Sequence, residues 1–267
     1  IFRLVWAKKP RRALVTAPTF AEYATALESI GCTVERFFLR EQEDFAVTDA
    51  FCAAIRPGVD MVFLCQPNNP TGQLTALPLV EQILHRCAAC GTLLVVDECF
   101  LDFLPDHPLH TAKGLLGEGD LIILKAFTKL YGMAGVRLGY ALSADTALLE
   151  QMQACGQPWG VSSLAQAAGL AALEETVYVE KVRALIAEQR PRLTAGLRAL
   201  GLRVLDGRAN YLLFQAPETL GEALRQRGAV LRSCANYPGL GPGWYRTAVR
   251  TGPENEQLLK LLAEVLE

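Results

Sequence analysis

The chain has 267 residues, 51% hydrophobic and 20% charged, with 26 basic against 28 acidic side chains and a formal net charge of -2. This composition excludes a disordered tail and a disulfide-stapled miniprotein, and it offers no basic stripe for a nucleic-acid partner, which leaves a small-molecule ligand as the expected partner. No apolar run reaches the roughly 20 residues needed to cross a bilayer, and no basic start with an apolar core marks a signal peptide. The sequence therefore predicts a cytoplasmic chain with no membrane partner. It opens on IFRLVWA, which reads as the second half of an amphipathic helix, so the sequence is expected to be part of a longer one.

In chain order, short runs rich in Val, Ile and Leu alternate with longer helical patterns. The runs are apolar throughout, as a parallel sheet covered on both faces requires. Strands are predicted at 13–17, 33–38, 61–65, 93–97, 121–124 and 138–142, and helices at 20–30, 48–54, 76–89, 109–116 and 146–153. The alternation predicts an α/β large domain over residues 1–160 with a mostly parallel sheet and ligands at the carboxyl ends of its strands. From Ala165 to Leu200 nearly every residue is a helix former, and Pro191 is expected to start a new helix there. Strands at 203–205, 211–215, 230–232 and 245–249, with helices at 220–227 and 254–266, complete a small α+β domain over residues 161–267.

Eight cysteines lie scattered in apolar stretches and read as reduced, buried thiols. Cys87 and Cys90 have CxxC spacing, but neither a second pair nor a histidine cluster accompanies them, so no metal is expected. His85, His107 and His110 form no nucleophile triad with any serine.

The chemistry-bearing residues fall at strand ends. LLVVD puts Asp97 at the end of one strand, the next leads into KAFTK with Lys129, and Arg137 follows in GMAGVRLGY. Each alone is unremarkable: a carboxylate at a strand end usually caps a loop, and a single lysine is usually a solvated charge. The loop QPNNPTGQL, after the strand at 61–65, is a rigid turn in which Asn68 or Asn69 could satisfy loop backbone. Its place at the same rim as Asp97 and Lys129 favours a side-chain amide aimed at a ligand.

Together PNNPTG, VVDECFLDF and FTKLYGMAGVRLGY resemble the pyridoxal-phosphate enzymes of aminotransferase class I/II. The nearest branches are threonine-phosphate decarboxylases, through FAEY, GRANYLL, RSCANYPGL and YRTAVRT, and then histidinol-phosphate aminotransferases. The resemblance covers essentially the whole chain and implies a fold type I, pyridoxal 5'-phosphate-dependent homodimer acting on a phosphorylated amino acid. By the same resemblance, Lys129 carries the cofactor as a Schiff base and Asp97 pairs with the pyridine nitrogen. It also implies that Asn69 binds the ring oxygen and touches substrate, Phe20 stacks on the ring, and Thr128 and Arg137 hold the phosphate. Arg232 and Arg250 are the residues expected to grip the substrate's anionic ends. Two positions depart from the family pattern. Ala126 stands where a phosphate-binding Ser or Thr is usual, and Phe100 stands where aminotransferases commonly have Tyr.

Overall fold

A computed structural model describes residues 1–266. A short helix α1 (Phe2–Lys8) precedes β1 (Arg12–Ala17), α2 (Glu22–Glu28), β2 (Thr33–Phe38), α3 (Ala50–Ala54), β3 (Met61–Cys65), α4 (Leu77–Cys90) and β4 (Leu93–Asp97). β5 (Leu121–Ala126), β6 (Gly139–Ser143) and α5 (Thr146–Ala154) follow. The six strands form one sheet in the order β2-β1-β3-β4-β5-β6. All neighbours are parallel except β5 and β6. That exception follows from the connection: residues 127–138 contain no α-helix to carry a parallel crossover, so the chain turns back on itself.

β3 and β4 are buried at every residue, which is why they read as unbroken apolar runs. On one face α4 buries Val80, Ile83, Leu84 and Cys87, spaced i, i+3, i+4, i+7. They pack against Val62, Leu64, Leu94 and Val96 of the sheet. Each such side chain contributes about 1.5–3 kcal/mol on burial. The opposite face is covered by α1, α2 and α5.

The expected helix at 109–116 is not an α-helix. The segment forms two short 3-10 turns, His107–Leu109 and Ala112–Leu115. The Glu98 carboxylate takes the Ala112 backbone N–H at 2.7 Å, which diverts it from a helical ladder, and also accepts the Thr111 hydroxyl at 2.9 Å.

α6 (Ser163–Glu174) and α7 (Thr176–Ala199) form the long helical stretch, with the break at Glu175 and not at Pro191. Pro191 lies inside α7. Ile186, Leu193 and Leu197 are buried on both sides of it, and that stripe offsets the roughly 3 kcal/mol that an interior proline costs. A second, antiparallel sheet has the order β7-β8-β10-β9, from β7 (Arg203–Val204), β8 (Tyr211–Gln215), β9 (Arg232–Ser233) and β10 (Trp244–Ala248). α8 (Leu220–Gln226) and α9 (Gly252–Leu266) pack with α7 over its apolar core. No helix among the described residues is long and apolar enough to cross a membrane.

Candidate active site

In the order β2-β1-β3-β4-β5 the chain leaves β1 in one direction and β3 in the other, so a crevice opens between the carboxyl ends of these two strands. Phe20 follows β1, Asn69 follows β3, Asp97 ends β4, and Thr128 and Lys129 follow β5. With Arg137 they line one cavity of about 780 Å³, so all six residues that the resemblance assigns to the cofactor converge.

Asp97 is buried. Its Oδ2 accepts the Tyr23 hydroxyl at 2.6 Å, and its Oδ1 accepts the Cys99 backbone N–H at 3.0 Å. Both donors are neutral, so neither hydrogen bond neutralises the carboxylate, a setting that fits a cationic group such as a protonated pyridine nitrogen.

Two lysines line this cavity, and they differ in kind. Lys125 is buried, 2.7 Å from Asp102 and 3.4 Å from Glu98. Burial opposes its charge, but Asp102 and Glu98 outweigh it and hold the ammonium above the usual lysine range. Lys129 is exposed to the cavity, and its Nζ lies 5.4 Å from the centre of the Phe100 ring. The structure thus consumes one amine in an ion-pair network and leaves the other open to a ligand.

The choice between the two asparagines is also made by packing. Asn68 donates to the Pro18 carbonyl at 2.9 Å and to Thr71 at 3.0 Å, and accepts the Thr19 hydroxyl at 2.8 Å. It is the loop brace. Asn69 lines the cavity, and its Oδ1 accepts from the Tyr237 hydroxyl at 3.3 Å and from Arg246. Its amide nitrogen is the donor left for a ligand. The turn itself is clamped by β8 of the second sheet and the loop before it: Arg208 N–H donates to the Gly72 carbonyl at 2.6 Å, and the Tyr211 hydroxyl on β8 donates to the Asn68 carbonyl at 2.9 Å. Gly72 has φ +73°, and a Cβ on Gly207 would meet Gly72 backbone at 2.7 Å, so the close approach requires glycine on both sides.

A second cavity of about 610 Å³ shares Phe100 and Lys129 with the first and is lined by Arg227, Arg232, Arg246 and Arg250. Arg232 and Arg246 are directly opposed on β9 and β10. The Arg246 guanidinium lies 5.0 Å from the Tyr211 ring centre, and that of Arg232 lies 5.6 Å from Tyr237. Arg250 lies beyond the end of β10, is exposed, and is 2.6 Å from Glu254.

Sequence reasoning missed Arg246, Tyr23 and Tyr237. Arg246 was discoverable, because it falls inside the strand WYRTA and Arg250 lies beyond it. Tyr23 lies three residues after Phe20, nearly one helical turn. Tyr237 carries no such local signal.

The Aminotransferase class I and II family model matches residues 1–265. Threonine-phosphate decarboxylase of Salmonella typhimurium is 39% identical over 270 residues, spanning 100% of this chain and 74% of that protein. Histidinol-phosphate aminotransferase of Symbiobacterium thermophilum is 34% identical over 272 residues, spanning 100% of this chain and 73% of that protein. Among solved structures, histidinol-phosphate aminotransferase from Clostridium acetobutylicum superposes with a TM-score of 0.93 at 26% identity, over 99% of this chain and 80% of that one. A decarboxylase from Sulfurospirillum multivorans gives 0.88 at 26% identity, over 100% of this chain and 79% of that one. The chain belongs to the aminotransferase class I and II family, with its fold type I architecture and its pyridoxal 5'-phosphate cofactor.

Proposed function

We propose that this protein decarboxylates L-threonine O-3-phosphate to (R)-1-amino-2-propanol O-2-phosphate, the aminopropanol unit of cobalamin. The observation that carries this reading is the cross-strand pair Arg232 and Arg246 beside Lys129. Like charges directly opposed across a sheet destabilise it unless an anion lies between or beside them. A substrate with both a carboxylate and a phosphate supplies two anions, and two converging guanidiniums match them with bidentate geometry.

Bound pyridoxal 5'-phosphate supplies an electron sink for the charge left when a bond to the substrate α-carbon breaks. This chain's residues do the rest. Lys129 would tether the cofactor, and its amine, set free when the substrate's amine takes its place, would return a proton to the α-carbon after carbon dioxide leaves. Asp97 keeps the ring nitrogen protonated, Asn69 donates to the ring oxygen, and Phe20 covers the ring face. Thr128 and Arg137 hold the cofactor phosphate, and Ala126 withholds one hydrogen bond there. Arg246 and Arg232 would fix the substrate's carboxylate and phosphate, and their hold on the carboxylate would select which bond to the α-carbon breaks. Arg250, already neutralised by Glu254, is a weaker grip than Arg246.

A second reading, transamination of histidinol phosphate, draws support from the 34% identical aminotransferase and the 0.93 superposition. Histidinol phosphate carries a phosphate but no carboxylate, so it leaves one of the opposed arginines without an anion. Decarboxylation also agrees with the 39% identical relative and with Phe100, which brings no hydroxyl to Lys129.

We place the enzyme in the cytoplasm, in keeping with eight unpaired cysteines, and working as a homodimer. Exposed Trp159, Leu164, Leu170, Leu173 and Val177 support the dimer, since they form apolar surface that a partner subunit would cover. The deciding experiment incubates the protein with pyridoxal phosphate and L-threonine O-3-phosphate in the absence of any keto acid. Release of carbon dioxide and aminopropanol phosphate is the expected result. No release, with glutamate formed from histidinol phosphate and 2-oxoglutarate, would establish the aminotransferase instead.

A further inference from the structure

We propose that Tyr23 is a positioning residue for Asp97, fixing the orientation and charge of the carboxylate that faces the cofactor's ring nitrogen. The inference rests on reading Asp97 as the ring-nitrogen partner. Three observations carry it.

First, the Tyr23 hydroxyl is 2.6 Å from Asp97 Oδ2, within the 2.5–2.7 Å range of hydrogen bonds from hydroxyl to ionised oxygen. The Cys99 N–H holds the other oxygen. With one donor on each oxygen the carboxylate cannot rotate, and its remaining lone pairs point where the fold directs them. Second, packing alone does not require the hydroxyl. Tyr23 is wholly buried, its ring stacked on Phe63 at 4.8 Å and 18°, and a phenylalanine would fill the same space without an oxygen to satisfy. Third, Tyr23 meets Phe20 edge to face, with centroids 5.5 Å apart. One residue therefore touches both the side chain read as covering the ring face and the carboxylate read as holding the ring nitrogen, so ring tilt and nitrogen contact are set together.

The phenol remains a donor throughout. Burial, and then the charge of Asp97, push its proton affinity well above the usual tyrosine range. A hydrogen bond donated to a carboxylate withdraws charge from it, so Tyr23 also sets how strongly Asp97 attracts the ring proton.

The test loads cofactor labelled with ¹⁵N at the ring nitrogen into the parent chain, Tyr23→Phe, Asp97→Asn and the double variant, and reads the ring-nitrogen resonance, kcat and KM. In Tyr23→Phe we expect cofactor uptake to persist, the resonance to move, and kcat to fall about tenfold with KM within about twofold, since a hydrogen bond to a charged group has been lost. In the Asp97→Asn background Tyr23→Phe is expected to change neither resonance nor kcat further. An unmoved resonance, or the same loss in both backgrounds, overturns the positioning role while leaving the cofactor reading intact. Failure of the parent chain to take up cofactor overturns that reading and this inference with it. Should Tyr23→Phe not fold, a 3-fluorotyrosine at position 23, a stronger donor of nearly the same shape, is expected to move the resonance the opposite way, and an unmoved resonance again overturns the role.

Discussion

Arg246 and Arg232 stand opposite one another on adjacent antiparallel strands, while Arg250, four residues further on, is tied to Glu254. The strand ends at Ala248, so Arg250 leaves the sheet and Arg246 remains on it. Arg246 also reaches Asn69 from there, joining the second sheet to the cofactor cavity.

The contrast between these arginines is measurable. Arg246→Gln is expected to raise KM for threonine phosphate on the order of 10- to 100-fold, the loss of a charge-assisted hydrogen bond to an anion. Arg250→Gln removes an exposed i,i+4 pair and is expected to change KM by less than about threefold. Steady-state kinetics on both variants checks the assignment, and a larger effect at Arg250 would reverse it.

Lys129→Ala is expected to abolish both the visible absorbance of bound cofactor and all turnover. Lys125→Ala is expected to lower stability instead, because it strands Glu98 and Asp102 as uncompensated carboxylates beside a buried site. Absorbance spectra and thermal unfolding of the two variants separate the roles.

Asp97→Ala should still bind cofactor, held through Lys129 and the phosphate contacts, but its turnover is expected to fall roughly 10²-fold or more. A near-normal rate would mean that the ring nitrogen is served by another group.

Gly207→Ala places a methyl group 2.7 Å from the Gly72 backbone. The expected cost is about 1–3 kcal/mol in denaturant unfolding, with weakened cofactor binding because the turn that presents Asn69 must move. An Ala variant as stable as the parent would show that the two loops are not locked together.

Asp106 accepts from Arg208 at 2.8 Å and from His110 at 3.0 Å, and the Arg208 hydrogen bonds lead in holding its carboxyl at about 2. A carboxyl lowered in the folded state adds stability above its unfolded value of about 3.9, and that contribution is lost as pH falls from there through about 2. Arg208→Ala is therefore expected to be less stable than the parent at neutral pH, with the gap closing between about pH 4 and pH 2. Unfolding curves across that window test it, and a gap independent of pH would assign the loss to packing.

Much of this site was legible in the primary structure because strand-end position is a local property. LLVVD and LIIL are apolar runs that must be buried, and whatever follows them is delivered to the sheet's carboxyl rim, so Asp97 and Lys129 could be read as neighbours from the sequence. The helix at 109–116 and the break at Pro191 were misread for the opposite reason. A carboxylate 14 residues upstream captured one segment's backbone, and a buried stripe on α7 outweighed the proline in the other.

The sequence by itself determined the alternation of strands and helices, the family motifs and the delivery of Asp97, the PNNPTG turn and the segment 128–137 to one rim of the sheet, because each depends on residues within a few places along the chain. Only the tertiary structure decided which lysine is open, which asparagine faces the cavity, that Arg246 reaches Asn69 while Arg250 is tied to Glu254, and that Tyr23 holds Asp97. Those outcomes are pairings between residues as much as 177 positions apart, and such a pairing exists only once folding has brought both partners together and taken them out of water.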